Sequence, residues 1–175
     1  FVLGGAILLH DSALCFEAYE GGVEAIRKTI AWKDAYSLEK QKEISEEECK
    51  ANADFITIRM LHAEQSAKLI EHSWIDPSTN EPFFLIENQY LRKHLGQLIG
   101  QISASHHWDI EEIALKFPVQ VNAPPSFPRD WRVDPVKIAC LLRCADAAHI
   151  DNERAPDQIR VKAQFYLLLQ GLFLK

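Results

Sequence analysis

The apolar residues of this chain recur at helical spacing in one segment after another, and no segment alternates apolar and polar residues for long enough to specify a strand. That periodicity restricts the chain to a fold of packed helices. Residues 1–10, with Val2, Leu3, Ala6, Ile7, Leu8 and Leu9 apolar on nearly every side, predict the end of a buried helix, and Gly4 and Gly5 predict that another helix comes close to it. A loop over 11–22 leads into a short amphipathic segment, Val23 to Trp32. Ser45 and Glu48 stand at capping-box spacing within the acidic run EISEEE, which predicts a solvated helix start at the positive end of the helix dipole. The helical pattern then continues to His72 through Phe55, Ile58, Met60, Leu61, Ala67, Leu69 and Ile70.

Turn formers divide the remainder. Pro77, Asn80 and Pro82 mark a break over 74–82. The next helix runs from about Ile86 to Ser103, with Tyr90, Leu91, Leu95, Leu98, Ile99 and Ile102 on one stripe. Gly96 and Gly100, four apart, predict close helix packing rather than a phosphate loop, because no strand precedes them and no Lys-Ser/Thr follows. A short helix over Asp109–Lys116 precedes a proline-rich stretch at 117–130, and Asp134-Pro135 reads as a helix start with the acid as cap. A last apolar stretch, Phe165 to Leu174, predicts a terminal helix or a contact with a neighbour. The expected fold class is all-α, and 175 residues with 47% apolar content supply one domain, 1–175, with a sizeable core.

The net charge of −6 argues against a surface that neutralises a nucleic-acid backbone, and leaves room only for a local phosphate pocket. Cys15, Cys49, Cys140 and Cys144 form no CxxC pair and no disulfide framework, which predicts a reducing, cytoplasmic setting. No apolar run reaches the roughly eighteen residues of a membrane span, and the opening FVLGGAILLHD lacks the basic flank and cleavage site of a signal peptide. The first residue is not Met and falls inside a helical pattern, so the chain is expected to be part of a longer one.

The histidines stand in informative company. His10-Asp11 falls at a helix end, His62 inside a helix, His106-His107 just past one, and Asp146 inside another. Mixed imidazole and carboxylate ligands suit Mn²⁺, Fe²⁺, Zn²⁺ or Mg²⁺ and leave positions open for water. Asp11 can bridge two ions with its two oxygens while His10 fixes one of them, and such a pair lowers the pKa of a shared water.

The blocks HD (His10-Asp11), RMLHAE (His62), SHHW (His106-His107) and LLRCADAAHID (Asp146), in this order, resemble the HD superfamily of metal-dependent phosphohydrolases. The histidine set is similar to that of its HD-GYP branch. The phrases GQISASHHW and ACLLRCADAAHIDNERAP look like the bacterial HD-CE type, which is often joined to an Hsp90-like ATP-binding region and suspected of work in conflict or defence. The resemblance implies an HD-domain helical bundle that hydrolyses a nucleotide or other phosphate ester. It implies one ion on His10, Asp11 and Asp146, a second on Asp11, His62, His106 and His107, and water between them as nucleophile. Such domains usually add a histidine from a helix upstream of the HD pair, whereas here only nine residues precede His10. Ser12 stands where HD-GYP enzymes often carry Lys and no GYP follows His107, so cyclic di-GMP is not the expected substrate.

Each candidate has a plainer reading beside it. Adjacent helical side chains point about 100° apart, so His106 and His107 reach one ion together only if the helix ends there; otherwise one of them supports the other. Asp146 has a second reading as the ion-pair partner of Arg143 on the same face. His149, three residues beyond Asp146, is either a surface residue or an aid to proton transfer. Arg59, Arg143 and Arg154 are candidate phosphate ligands, since guanidinium forks match phosphate oxygens, or else structural ion-pair partners. Asp11, His149 and Arg143 are the candidate catalytic groups. The alternative to an enzyme is an inactive HD-type regulatory or scaffold module that binds a nucleotide or a protein partner.

Overall fold

The computed structural model describes residues 1–148; His149, Arg154 and the apolar stretch Phe165–Leu174 lie outside the described residues. The chain divides into two units, Phe1–Leu142 and Arg143–Lys175. In the first, α1 (Val2–Leu9) is followed by a 3₁₀ turn at Phe16–Ala18, α2 (Gly22–Lys28), α3 (Ile30–Glu39) and the long α4 (Glu46–Leu69). Strands β1 (Ser73–Ile75) and β2 (Pro82–Phe84) come next, then α5 (Gln89–Ala104), a 3₁₀ turn at Ser105–His107 and α6 (Ile110–Lys116). Strands β3 (Val121–Asn122) and β4 (Arg132–Val133) lead to α7 (Pro135–Ala148), which runs on into the second unit.

The helices dominate, as the apolar spacing predicts. The two antiparallel strand pairs, β1–β2 and β3–β4, fall in the two proline-bearing breaks. Strands of three and two residues are too short to leave a period-two signature, which is why the sequence shows only turns there.

Local chemistry sets the helix boundaries. Ser45 accepts from the Glu48 N–H at 3.2 Å while Glu48 accepts from the Ser45 N–H at 3.0 Å, the reciprocal capping box that opens α4. Asn88 caps α5 by accepting from Leu91 N–H at 3.0 Å, and Asp134 caps α7 by accepting from Lys137 N–H at 2.9 Å. The amphipathic segment expected over Val23–Trp32 is not one helix. Thr29 leaves the helical conformation, ends α2, and caps α3 through its hydroxyl, which accepts from Trp32 N–H at 3.2 Å. A Ser/Thr cap buried inside a continuous apolar pattern looks like any other mid-helix Thr in the sequence.

Two apolar clusters form the interior. One joins α1, α5 and α7 through Val2, Ala6, Leu9, Ile99, Ile102, Ala139 and Leu142; the other joins α2, α3 and α4 through Ile26, Trp32, Ala35, Ala53 and Ile58. Helix α1 is not buried all round as its composition predicts: Val2, Ala6 and Leu9 face inward, while Leu8 is 82% exposed. Phe55 and Met60, which belong to the helical apolar pattern of α4, are likewise exposed. The glycine expectations divide. A Cβ on Gly5 would lie 3.1 Å from the Ile99 side chain, but Gly4 has nothing within 4 Å. A Cβ on Gly100 would lie 2.6 Å from the Ala67 carbonyl oxygen, and one on Gly96 would lie 2.6 Å from the Ile70 side chain, so this pair does mark the close approach of α4 and α5.

A buried polar tie reinforces the second cluster. Asp54 on α4 accepts two hydrogen bonds from Arg27 on α2, at 3.0 and 2.6 Å, and one from the Trp32 indole N–H on α3, at 2.7 Å. Among the described residues no helix is long and apolar enough to cross a membrane.

Candidate metal centre

Three helices bring their histidines to one place. His10 follows the last residue of α1, His62 lies in the middle of α4, and His106 and His107 lie in the 3₁₀ turn that ends α5. The turn matters because it breaks the 100° progression that would separate adjacent helical side chains. Ligand atoms of His62, His106 and His107 all lie within 4.8 Å of one another.

The ring orientations follow from the backbone. Nδ1 of His10 lies 2.7 Å from the Ile7 carbonyl oxygen, Nδ1 of His62 lies 2.8 Å from that of Arg59, and Nδ1 of His106 lies 2.5 Å from that of Ser103. A carbonyl oxygen can only accept, so in each ring Nδ1 carries the hydrogen and donates it. In the neutral ring this leaves the lone pair on Nε2. Helix geometry thus sets one tautomer three times, by the same contact to the residue three positions earlier.

The Nε2 atoms so prepared face one another and Asp11. Nε2 of His62 and Nε2 of His106 are 3.1 Å apart. One Asp11 carboxylate oxygen, Oδ1, is 3.4 Å from His62 Nε2 and 4.0 Å from His106 Nε2, and the other, Oδ2, is 3.5 Å from His10 Nε2. Each carboxylate oxygen therefore serves a different imidazole, the arrangement of a bridging ligand. The chemistry of this donor set fits a divalent cation: lone pairs and a carboxylate converge with no hydrogen to share unless a ring takes up a second proton. The 3.1 Å spacing of the two nitrogens suits ligands at about 2.0–2.1 Å from a common ion.

Electrostatics keep Asp11 ionised. A hydrogen bond from His62, when that ring is protonated at Nε2, is the largest cause holding the Asp11 carboxyl below its ordinary value; burial opposes this, and the charges of His10, His62 and His106 add to the lowering. The His62 and His106 side chains are almost wholly buried, at 4% and 3% exposure, whereas Asp11 is half exposed at 51%. The two imidazoles thus form a buried floor, and the Asp11 carboxylate is reached by solvent.

The other candidates fall as follows. The Arg59 carbonyl orients His62, but its guanidinium lies 5.5 Å from the centre of the Phe55 ring, on the exposed side of α4. Arg143 and Asp146 lie on the last turns of α7, in the second unit. His149 and Arg154 lie outside the described residues. His72 and His94 stand apart from the cluster, His72 against the Trp74 ring and His94 donating to the Tyr90 carbonyl at 2.8 Å. One group at the site escapes a reading of the sequence. Ser66, fully buried on α4, donates its hydroxyl to the His10 carbonyl at 3.0 Å. Its only sequence signal is that it follows His62 by four residues and so shares its face.

A mostly α-helical unit that gathers histidines from three helices around an aspartate defines a chain of the HD type. The family model for HD-CE matches residues 1–164, and the chain belongs to the HD-CE family. No curated protein and no solved structure matches it.

Proposed function

We propose that this chain is a metal-dependent phosphohydrolase that acts on a nucleotide or other phosphate ester through a centre of two divalent ions. The observation that carries the reading is the set of imidazoles whose Nδ1 atoms are tied to backbone carbonyls and whose Nε2 atoms turn toward Asp11. His62, His106, His107 and Asp11 Oδ1 would hold one ion. His10 and Asp11 Oδ2, with Asp146 as the family resemblance implies, would hold the other. Bound there, such ions supply Lewis acidity to a phosphoryl oxygen and acidify a water to a usable nucleophile.

The chain's own residues prepare that chemistry. The backbone contacts keep the rings from turning, so little reorganisation accompanies binding. Asp11 stays ionised and presents its two oxygens in two directions. Arg143 and Arg154 are proposed to neutralise the phosphate, and His149 to assist proton transfer to the leaving oxygen. The guanidinium of Arg59, laid against Phe55, would have to swing away from that ring to join them.

The test is elemental analysis of purified protein beside Asp11→Ala, followed by hydrolysis of bis-p-nitrophenyl phosphate and a panel of nucleotides with added Mn²⁺ or Fe²⁺. The reading predicts about two ions per chain and metal-dependent turnover, both lost in Asp11→Ala. About one ion would restrict the centre to His62, His106 and His107. Protein that takes up no metal after incubation with Mn²⁺ or Fe²⁺ would instead favour a binding module without hydrolytic activity.

A further inference from the structure

We propose that Ser66 is a positioning residue: by holding the His10 carbonyl, its hydroxyl sets the spacing between the His10-Asp11 pair and His62, and with it the affinity of the centre for a divalent ion. The inference rests on the metal-centre reading of the site.

His10 and Asp11 leave the end of α1, where the carbonyls no longer have partners further along the helix. Ser66 answers one of them. It is fully buried, donates to His10 O at 3.0 Å, and stands one turn beyond His62 on the same face of α4. A single rigid helix therefore carries both a ligand and the clamp on the backbone of the facing ligand pair. The next side chain back, Gln65, donates through Nε2 to the Ala18 carbonyl at 2.6 Å, at the far end of the loop that begins with Asp11. Helix α4 thus grips both ends of the segment from which the Asp11 carboxylate projects.

The grip matters because the tolerance is small. Ligand distances in working metal sites hold to within about 0.2 Å of their ideal values. Apolar packing of α1 against Leu69 and Ile70 at the end of α4 leaves the His10 backbone without a directional tether, and the Ser66 hydroxyl supplies a direct polar link between it and the helix of His62. Losing it would let the HD pair drift from His62 without unfolding either helix.

The test is a Co²⁺ titration of the full chain, read by the visible absorption of the bound ion, for wild type, Ser66→Ala, Ser66→Cys and Thr57→Val. Thr57 is the control: it is also fully buried on α4 and also donates its hydroxyl to a carbonyl, that of Ala53 at 2.7 Å, but this bond stays within α4 and holds none of the site residues. A purely structural hydroxyl would make the two deletions equivalent. The proposal expects Co²⁺ to bind Ser66→Ala roughly 10–100-fold more weakly than wild type, with an altered absorption spectrum. Ser66→Cys, which keeps a weak donor, should fall between them, and Thr57→Val should bind as wild type does. Circular dichroism establishes that each variant is folded. Wild type that binds with Ser66→Ala and Ser66→Cys unchanged overturns the role of Ser66 alone. Wild type that binds no Co²⁺ overturns the metal reading, and this inference with it.

Discussion

Replacing Gly100 with alanine should damage the chain far more than adding one methyl group suggests. The new Cβ would lie 2.6 Å from the Ala67 carbonyl oxygen and 3.2 Å from Ala67 Cα, inside the distance that real Cβ atoms keep. The obstacle is the backbone of α4, so no rotamer change relieves it, and α5 must retreat by roughly half an ångström or more. Overpacking of this kind costs about 1–3 kcal/mol. The substitution also gains up to about 1 kcal/mol, because alanine is the better helix former. With a rigid obstacle the upper part of the range applies, leaving a net loss of about 2 kcal/mol, or about 4–8 °C in Tm for a chain of this size. The same retreat carries His106, in the turn that ends α5, away from His62 on α4, so metal uptake should fall with stability. Urea denaturation followed by circular dichroism measures the first effect and elemental analysis the second. Gly4→Ala is the control, since nothing lies within 4 Å of its Cβ, and it should stabilise the protein by about 0.5–1 kcal/mol. Equal stability of Gly100→Ala and Gly4→Ala would refute the close packing of α4 on α5 and the argument built on it.

Two further outcomes follow from the buried polar groups. Asp54→Ala strips Arg27 and the Trp32 indole of their shared acceptor. Breaking a fully buried pair costs about 3–5 kcal/mol; the Arg27 side chain is 34% exposed and water can reach it, so about 2–3 kcal/mol is expected in urea denaturation, and a loss below about 1 kcal/mol would contradict the tie. Among the described residues the buried Tyr19 hydroxyl has no hydrogen-bond partner, and burial first, with the neighbouring Cys15 second, pushes its pKa up to about 12. The unfolded phenol loses its proton near pH 10, before the folded one does. Between pH 10 and about 12 the unfolded state therefore binds fewer protons, stability falls as pH rises, and the contribution levels off above about 12. In phenolate absorbance, wild type minus Tyr19→Phe should show a chromophore titrating near 12 rather than 10.

Much of the helical order is legible without coordinates because it is written in short-range chemistry. The Ser45–Glu48 box, the Asp134 cap and the proline after it are decided within three residues, and the structure starts α4 and α7 there. Gly96 and Gly100 announce a close helix contact, although only the structure supplies Ile70 and Ala67 as what they meet. The breaks hide two strand pairs, since hydrogen bonds between chain segments leave no mark in so few residues. Thr29 and the exposed faces of α1 and α4 were not legible either. Whether a threonine caps and whether Leu8 or Phe55 is covered depends on what packs beside them.

For the site, the sequence by itself determined the residue types, the order of the four blocks and the place of His10, His62, His106 and His107 relative to their helices. Ligand chemistry is a property of side chains, and helix ends have local signals. Tertiary structure alone decided that the three Nε2 atoms turn toward Asp11, that each Asp11 oxygen faces a different imidazole, and that Ser66 holds the His10 carbonyl. Apart from the contact between the adjacent His10 and Asp11, those facts depend on atoms distant in the chain, from His62 and His106 at 44 residues apart to Asp11 and His106 at 95, and are fixed by the packing of α1, α4 and α5 and by no local rule.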